Sequence, residues 1–245
     1  MALLESNRQH WPAEGTIFPI SEIDIEVAGE PHPFHLAQAE RARENWRQEI
    51  AANPHLFDGR MVLQRAIRIT DGRIAATGHI VPYSTFLWWR KTRTQSACHI
   101  FGMPMLLSAD GAMIAIRMGG HTANAGRVYS PGGSLEPEDI VDGRCDIAGN
   151  IAREVKEETG IALSEAIAEP GYHAIHMNGT VTVFRIFRLA ATADQLVARV
   201  AAHVASDPHP EIDEAVAIRS PEPAAHNYPD FIPPILEWLF ARSSR

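Results

Sequence analysis

The chain is short of cysteine, has no apolar run of bilayer length and carries no excess of positive charge, and each shortage removes a class of function. Its two cysteines, Cys98 and Cys145, allow one disulfide at most, and neither has a second Cys or His at zinc-finger spacing. They read as free thiols in a reducing cytoplasm. No apolar stretch approaches the roughly 20 residues that a spanning helix needs. Met1 to Gly15 carries acidic and polar side chains where a signal peptide has a basic start and an unbroken apolar run, so a cytoplasmic location with no membrane partner is expected. With 22 Lys and Arg against 30 Asp and Glu, the formal charge is -8. That balance argues against nucleic acid as a partner, because such binding rests largely on phosphate neutralisation by Lys and Arg. Internal repeats and low-complexity segments are absent, as is any strand-turn-helix Gly-x-Ser-x-Gly elbow for serine hydrolysis.

What is present is the composition of an ordinary globular chain: 245 residues, 45% hydrophobic and 21% charged. Length fits one large domain or two small ones. Residues 1 to 95 read as an accessory α+β module. Ile23 to Val27 alternates like a short strand, and His32-Pro33 introduces a helix with Ala39, Ala42, Trp46 and Ile50 at helical spacing, ended by Asn53-Pro54. Met61 to Thr70 and Arg73 to Val81 flank Asp71-Gly72, a strong hairpin signal. The short basic run Arg90 to Arg93 reads as a solvated face or element end.

Residues 96 to 245 read as a second domain of strands, one long loop and helices. Ile100 to Leu107 and Ala112 to Met118 predict strands. A Gly-, His- and Asn-rich loop from Gly119 to Gly126 then leads to Pro131-Gly132-Gly133, and loops of that length usually serve a site or wander in solvent. A helix follows, with Asp146 as its N-cap and Gly160 as its C-cap. His173 to Met177 and Thr180 to Leu189 flank Asn178-Gly179 as a second hairpin. A helix from Ala193 to Val204, a strand over Ala215 to Ile218 and a closing helix bearing Ile235, Leu236, Leu239 and Phe240 complete the pattern. His173 and His176, three apart in a strand, fall on opposite faces and make a poor metal pair.

On the acidic helix Glu154, Glu157 and Glu158 share one arc, with Ile147, Ile151 and Val155 on the adjoining face. Carboxylates this close repel unless cations lie among them. Taken alone, such a run is usually an exposed, ion-paired helix. The glycine turn upstream changes its weight, because glycine lets backbone oxygen approach an ion, and hard oxygen donors suit Mg²⁺ or Mn²⁺.

Arg153-Glu154-Val155-Lys156-Glu157-Glu158-Thr159-Gly160-Ile161 resembles the second half of the Nudix hydrolase motif, G-x5-E-x7-R-E-U-x-E-E-x-G-U with U aliphatic, at every specified position. The first half departs from it. Counting from Gly133, Asp139 stands at the first Glu, with Glu138 beside it, and six additional residues lie within Ile140 to Asp146. The resemblance implies an α/β fold with a mixed sheet between helices, and Mg²⁺- or Mn²⁺-dependent cleavage of a diphosphate. It implies that Glu157 and Glu158 ligate metal, that the Gly132 carbonyl adds an oxygen, that Glu154 is ligand or base, and that Arg153 orients the carboxylates. A later acid, Glu211 or Glu214, is a further candidate ligand. Arg117 and Arg127, flanking the long loop, are candidates for substrate phosphate. Tyr129 either stacks on a base or packs.

Asn53 to Gly59, the accessory module and the enlarged loop are similar to a eukaryotic Nudix branch acting on UDP-hexoses. A UDP-sugar is therefore the first substrate expected, with ADP-ribose, a dinucleotide or a damaged nucleoside triphosphate as alternatives. Homodimers are common in such families. A catalytically silent nucleotide sensor on the same scaffold is the competing reading.

Overall fold

The structure, a computed structural model, describes residues 11–243. The first ten residues of the segment read above as lacking a signal peptide lie outside that range.

The amino-terminal part runs β1 (Phe18–Ile20), β2 (Glu22–Ala28), α1 (Pro33–Ala52), β3 (Arg60–Thr70), β4 (Arg73–Pro82) and α2 (Tyr83–Thr92). Helix α1 starts where expected, with the His32 ring accepting from the Phe34 amide and proline in the first turn, and Asn53 ends it. Asp71 and Gly72 both take positive φ, the geometry of a tight hairpin. Helix α2 lies where only a basic element end was expected. It closes with Arg93 in the left-handed conformation, and its Phe86, Leu87 and Trp89 pack with Phe34, Met61, Leu63 and Val81 in a satellite core.

The rest comprises β5 (His99–Leu107), β6 (Met113–Met118), β7 (Val128–Tyr129), β8 (Ile140–Val141), β9 (Arg144–Cys145), α3 (Ile147–Thr159), β10 (Ile167–Ala168), β11 (Tyr172–Met177), β12 (Thr180–Arg188), α4 (Ala193–Ser206), β13 (Ile212–Ile218) and α5 (Ile232–Ser243). The last strand starts three residues before the predicted one. An eight-stranded mixed sheet follows the order β1-β11-β12-β5-β6-β13, with β7 on β6 and β10 on β12. Its parallel pair, β5 with β12, lies at the centre, and every residue of β5 is buried.

Strands are exchanged across residue 95. β1 joins the large sheet by pairing β11, while β8 and β9 join the five-stranded sheet β3-β4-β2-β9-β8. One apolar cluster accordingly contains Ile25 and Ile67 together with Ile100 and Met103.

Alternate residues of β5 serve different neighbours. A Cβ on Gly102 would stand 2.7 Å from Ile151 Cγ1, so α3 sits closer to the sheet there than any larger residue allows. Ile147, Ile151 and Val155 bury the apolar face of α3, each contributing roughly 1.5–3 kcal/mol by removal from water. His99 and Phe101, offset by an odd number from Gly102, stack on each other, and Phe101 meets Phe231 at the start of α5.

Candidate active site

Helix α3 is held as its sequence dictates. Asp146 accepts from the Gly149 amide at the amino end, and Gly160 closes the helix in the left-handed conformation. The six additional residues do not pull it away from the glycine turn. They fold into the small β8–β9 hairpin, turned by Asp142-Gly143, which pairs with β2 through Glu26 and Arg144; Arg144 also ion-pairs Asp24. The extra length is thus absorbed into the amino-terminal sheet.

The turn and the helix meet directly. Gly132 has φ 156, and a Cβ there would stand 2.7 Å from the Gly102 carbonyl oxygen, so glycine is required. Its amide donates to Glu158 Oε2 at 2.9 Å. The Glu154 carboxylate covers Gly133 so closely that a Cβ there would fall 2.4 Å from Oε1. Asn150, fully buried one turn before Glu154, donates through Nδ2 to the Ser134 carbonyl at 3.3 Å and to Asp139 Oδ2 at 2.9 Å.

Arg153 organises the acids. It donates to Asp139 Oδ1 and Oδ2 at 3.2 and 3.0 Å, and pairs with Glu154 at 2.8 Å and Glu157 at 2.9 Å. Burial works against its charge, but the Asp139 hydrogen bonds and the neighbouring carboxylates outweigh it, and its pKa is raised. Asp139 is buried against Arg153 and braces that guanidinium. Glu138 is exposed, 3.7 Å from the same group.

Two clefts share the turn Gly132 to Ser134, together with Tyr83, Asn124 and Tyr129. The acidic one, about 590 Å³, is lined by Glu136, Glu138, Glu154, Glu157, Glu158, Asp207 and Glu211, with Arg60 and Arg153 among them. Burial raises the Glu154 carboxyl to about 7; Arg153 opposes this, and Glu157, Glu136 and Asp139 reinforce it. Burial likewise raises Glu136 to about 7, and holds Glu158 well above the usual carboxylate range, helped by Glu154 and opposed by the Gly132 amide.

The other cleft, about 620 Å³, is lined by Phe86, Arg90, Arg93, His99, Phe101, Arg127 and Phe231. His99 Nε2 lies 3.2 Å from Ser134 Oγ, and burial, with the charges of Arg93 and Arg90, lowers its pKa to about 3. It is neutral there.

The residues singled out in the sequence divide. Arg153, Glu154, Glu157, Glu158 and Glu211 converge on the acidic cleft, Arg127 lines the aromatic one, and Gly132 and Tyr129 lie on the wall between them and line both. Arg127 Nη1 donates to the Tyr228 carbonyl, and the Tyr129 hydroxyl accepts from Asn124 Nδ2. Arg117 and Glu214 line neither cleft, because the β6–β13 pairing sets them opposite each other and closes a 2.8 Å ion pair. Two residues at the clefts, Glu136 and Asn150, escaped the sequence reading, and two more, Arg90 and Arg93, read there as part of a solvated face or element end. The first two carried faint signals, Glu136 at capping distance from Asp139 and Asn150 as a polar residue beside the apolar stripe of α3.

Among the described residues no three His, Cys, Asp or Glu side chains converge closely enough to enclose a cation. Glu158 is held by the Gly132 amide, and Glu154 and Glu157 by Arg153. The donor set nonetheless suits a hard divalent ion: seven carboxylates line the cleft against the guanidiniums of Arg60 and Arg153, and burial raises the pKa of three of the seven, Glu136, Glu154 and Glu158.

Fold and site together define a mixed α/β protein with an acidic and an arginine-aromatic cleft on either side of one glycine turn. Comparison with protein-family models and with curated proteins gave no match. Among solved structures, the chain is similar to a MutT protein from Methanosarcina mazei Go1, at 18% identity and TM-score 0.40, over 60% of this chain and 96% of that one. It is similar to a C. elegans Ap4A hydrolase at 10% identity and TM-score 0.42, over 59% and 96%. The NUDIX domain of Shewanella oneidensis NrtR, solved with ADP ribose, is similar at 11% identity and TM-score 0.42, over 60% and 88%. Likeness at these levels assigns no activity.

Proposed function

We propose that the chain is a Nudix-type hydrolase that uses a divalent cation, Mg²⁺ or Mn²⁺, to cleave the diphosphate of a nucleoside diphosphate derivative, with a UDP-sugar as the first substrate to test. The observation that carries this reading is the contact of Glu154 and Glu158 with Gly133 and Gly132, made despite the six residues that interrupt the motif.

Glu157, Glu158 and Glu211, with the Gly132 carbonyl, are the groups that would hold the ion. Bound there, it supplies charge neutralisation for the diphosphate oxygens and acidifies a ligated water. Glu154 accepts the proton of the attacking water. Water oxygen bonds to one phosphorus as the bridging P–O bond breaks, leaving two phosphate-bearing products. Arg153, braced by Asp139, keeps Glu154 turned toward the glycine turn. A silent nucleotide-binding module is the second reading; what favours it is that Arg153 occupies carboxylate oxygens on both Glu154 and Glu157.

Product detection from a panel of UDP-sugars, ADP-ribose, dinucleotides and nucleoside triphosphates with Mg²⁺ or Mn²⁺ separates the two. Turnover by wild type that is lost in Glu154→Gln and Glu158→Gln supports the hydrolase. Equal turnover by all three sinks the assignment of this helix, and tight binding without turnover favours the sensor.

A further inference from the structure

We propose that helix α2, outside the motif-bearing part of the chain, carries a phosphate-recognition site into the aromatic cleft. There Arg90 and Arg93, facing Arg127, hold the phosphate-bearing nucleotide half of the substrate. The choice of a nucleotide rests on the hydrolase reading; the site itself rests on the following geometry.

Three guanidiniums line this cleft against one carboxylate, Asp230. None of the three makes an ion pair among the described residues. Their hydrogen bonds go to neutral acceptors: Arg90 to Asn124 Oδ1 and the Ala123 carbonyl at 3.0 and 3.3 Å, Arg93 to the Asn178 carbonyl and Thr180 Oγ1 at 3.2 and 3.0 Å, Arg127 to the Tyr228 carbonyl at 2.9 Å. These contacts clamp α2 between two loops and aim the heads without neutralising them. A guanidinium has five N–H donors, so each retains donors for a ligand. Arg90 lies over the Phe86 ring and Arg93 over the Trp89 ring, at 5.7 and 5.0 Å, which fixes the planes of both forks.

Basic residues are favoured at any helix C-terminus by the helix dipole. That accounts for Lys91, which turns away to Asn45 at 2.8 Å. It does not account for two arginines turned into a cleft, or for Arg93 at the left-handed closing position, φ 50, where glycine is usual. An anion that offers two oxygens to one planar fork, phosphate above all, satisfies unpaired guanidiniums of this kind. The shared wall of Gly132 to Ser134 joins this cleft to the acids, so a bound nucleotide phosphate lies next to the hydrolytic half.

The test is calorimetric titration of the full chain in EDTA with UMP, with inorganic pyrophosphate and with uridine. Wild type should bind UMP and pyrophosphate more tightly than uridine, with affinity falling as salt rises. Arg90→Met and Arg93→Gln should each weaken UMP and pyrophosphate at least tenfold and leave uridine unchanged, while Lys91→Gln matches wild type. If either variant folds poorly, Arg90→Lys and Arg93→Lys, which keep the charge but lose the fork, should give intermediate affinity. The proposal is overturned by a wild type that binds neither phosphate compound, by variants equal to wild type, or by an equal loss in Lys91→Gln. Absence of turnover on every substrate defeats the hydrolase reading and leaves this binding result standing.

Discussion

The two clefts beside Gly132 to Ser134 are built on different plans. The acidic one takes Arg153, Glu154, Glu157 and Glu158 from one stretch of helix, so that part of its chemistry is local in the chain. The arginine-aromatic one is assembled from α2, the start of β5, the loop after β6, the β11–β12 turn and the segment before α5. A site of the first kind can be recognised from spacing, because helical period alone fixes which side chains share a face. A site of the second kind exists only once distant segments have been folded together.

The sharpest way to break this division is Glu154→Gln. Removing a proton acceptor should lower kcat by about 100-fold or more, while UMP binding in EDTA stays as in wild type; a parallel loss of both would mean that the clefts act as one. Next comes Asp139→Ala, which leaves the partly buried Arg153 without its brace. A loss of about 2 kcal/mol in denaturant unfolding is expected from deleting hydrogen bonds to a charged group, together with reduced turnover. Gly102→Ala forces a methyl against Ile151 under α3 and should cost about 1.5 kcal/mol by overpacking, with a larger effect on turnover than on UMP binding.

A pH measurement probes the other side of the turn. His99 is held neutral, lowered to about 3 in the fold against an ordinary value near 6.5. Between those values the unfolded chain binds the extra proton, so stability is lost as pH falls below about 6.5. Lowering the pH from 7.5 to 5.5 should therefore cost wild type about 1 kcal/mol more than His99→Gln, in the same buffer series. His32, buried and lowered to about 4, acts in the same direction in both proteins and cancels in the difference. The smallest effect is expected for Arg117→Ala. Its ion pair with Glu214 is largely exposed, so stability should shift by less than about 0.5 kcal/mol and kcat/KM should hold. A tenfold fall in kcat/KM would restore Arg117 as a phosphate ligand.

Hairpins and caps were legible because they are decided within a few residues: Asp71-Gly72, Asn178-Gly179, Asp146 and Gly160 each do what their type and position require. Helix α2 and strand β1 were not. The first is set by packing on a satellite core that includes Phe34, Met61 and Leu63, and the second by pairing with β11, contacts between segments separated along the chain.

The sequence alone determined the carboxylate face of α3 and the turn that glycine makes possible, since both follow from backbone period and the steric freedom of single residues. Only the tertiary structure decided that helix and turn meet across the inserted β8–β9 hairpin, that Asp139 braces Arg153, that Arg117 is spent on Glu214, and that α2 brings two arginines to the other side. Those outcomes depend on which strands pair and how closely a helix approaches a sheet, energies that are summed over contacts between segments far apart in the chain.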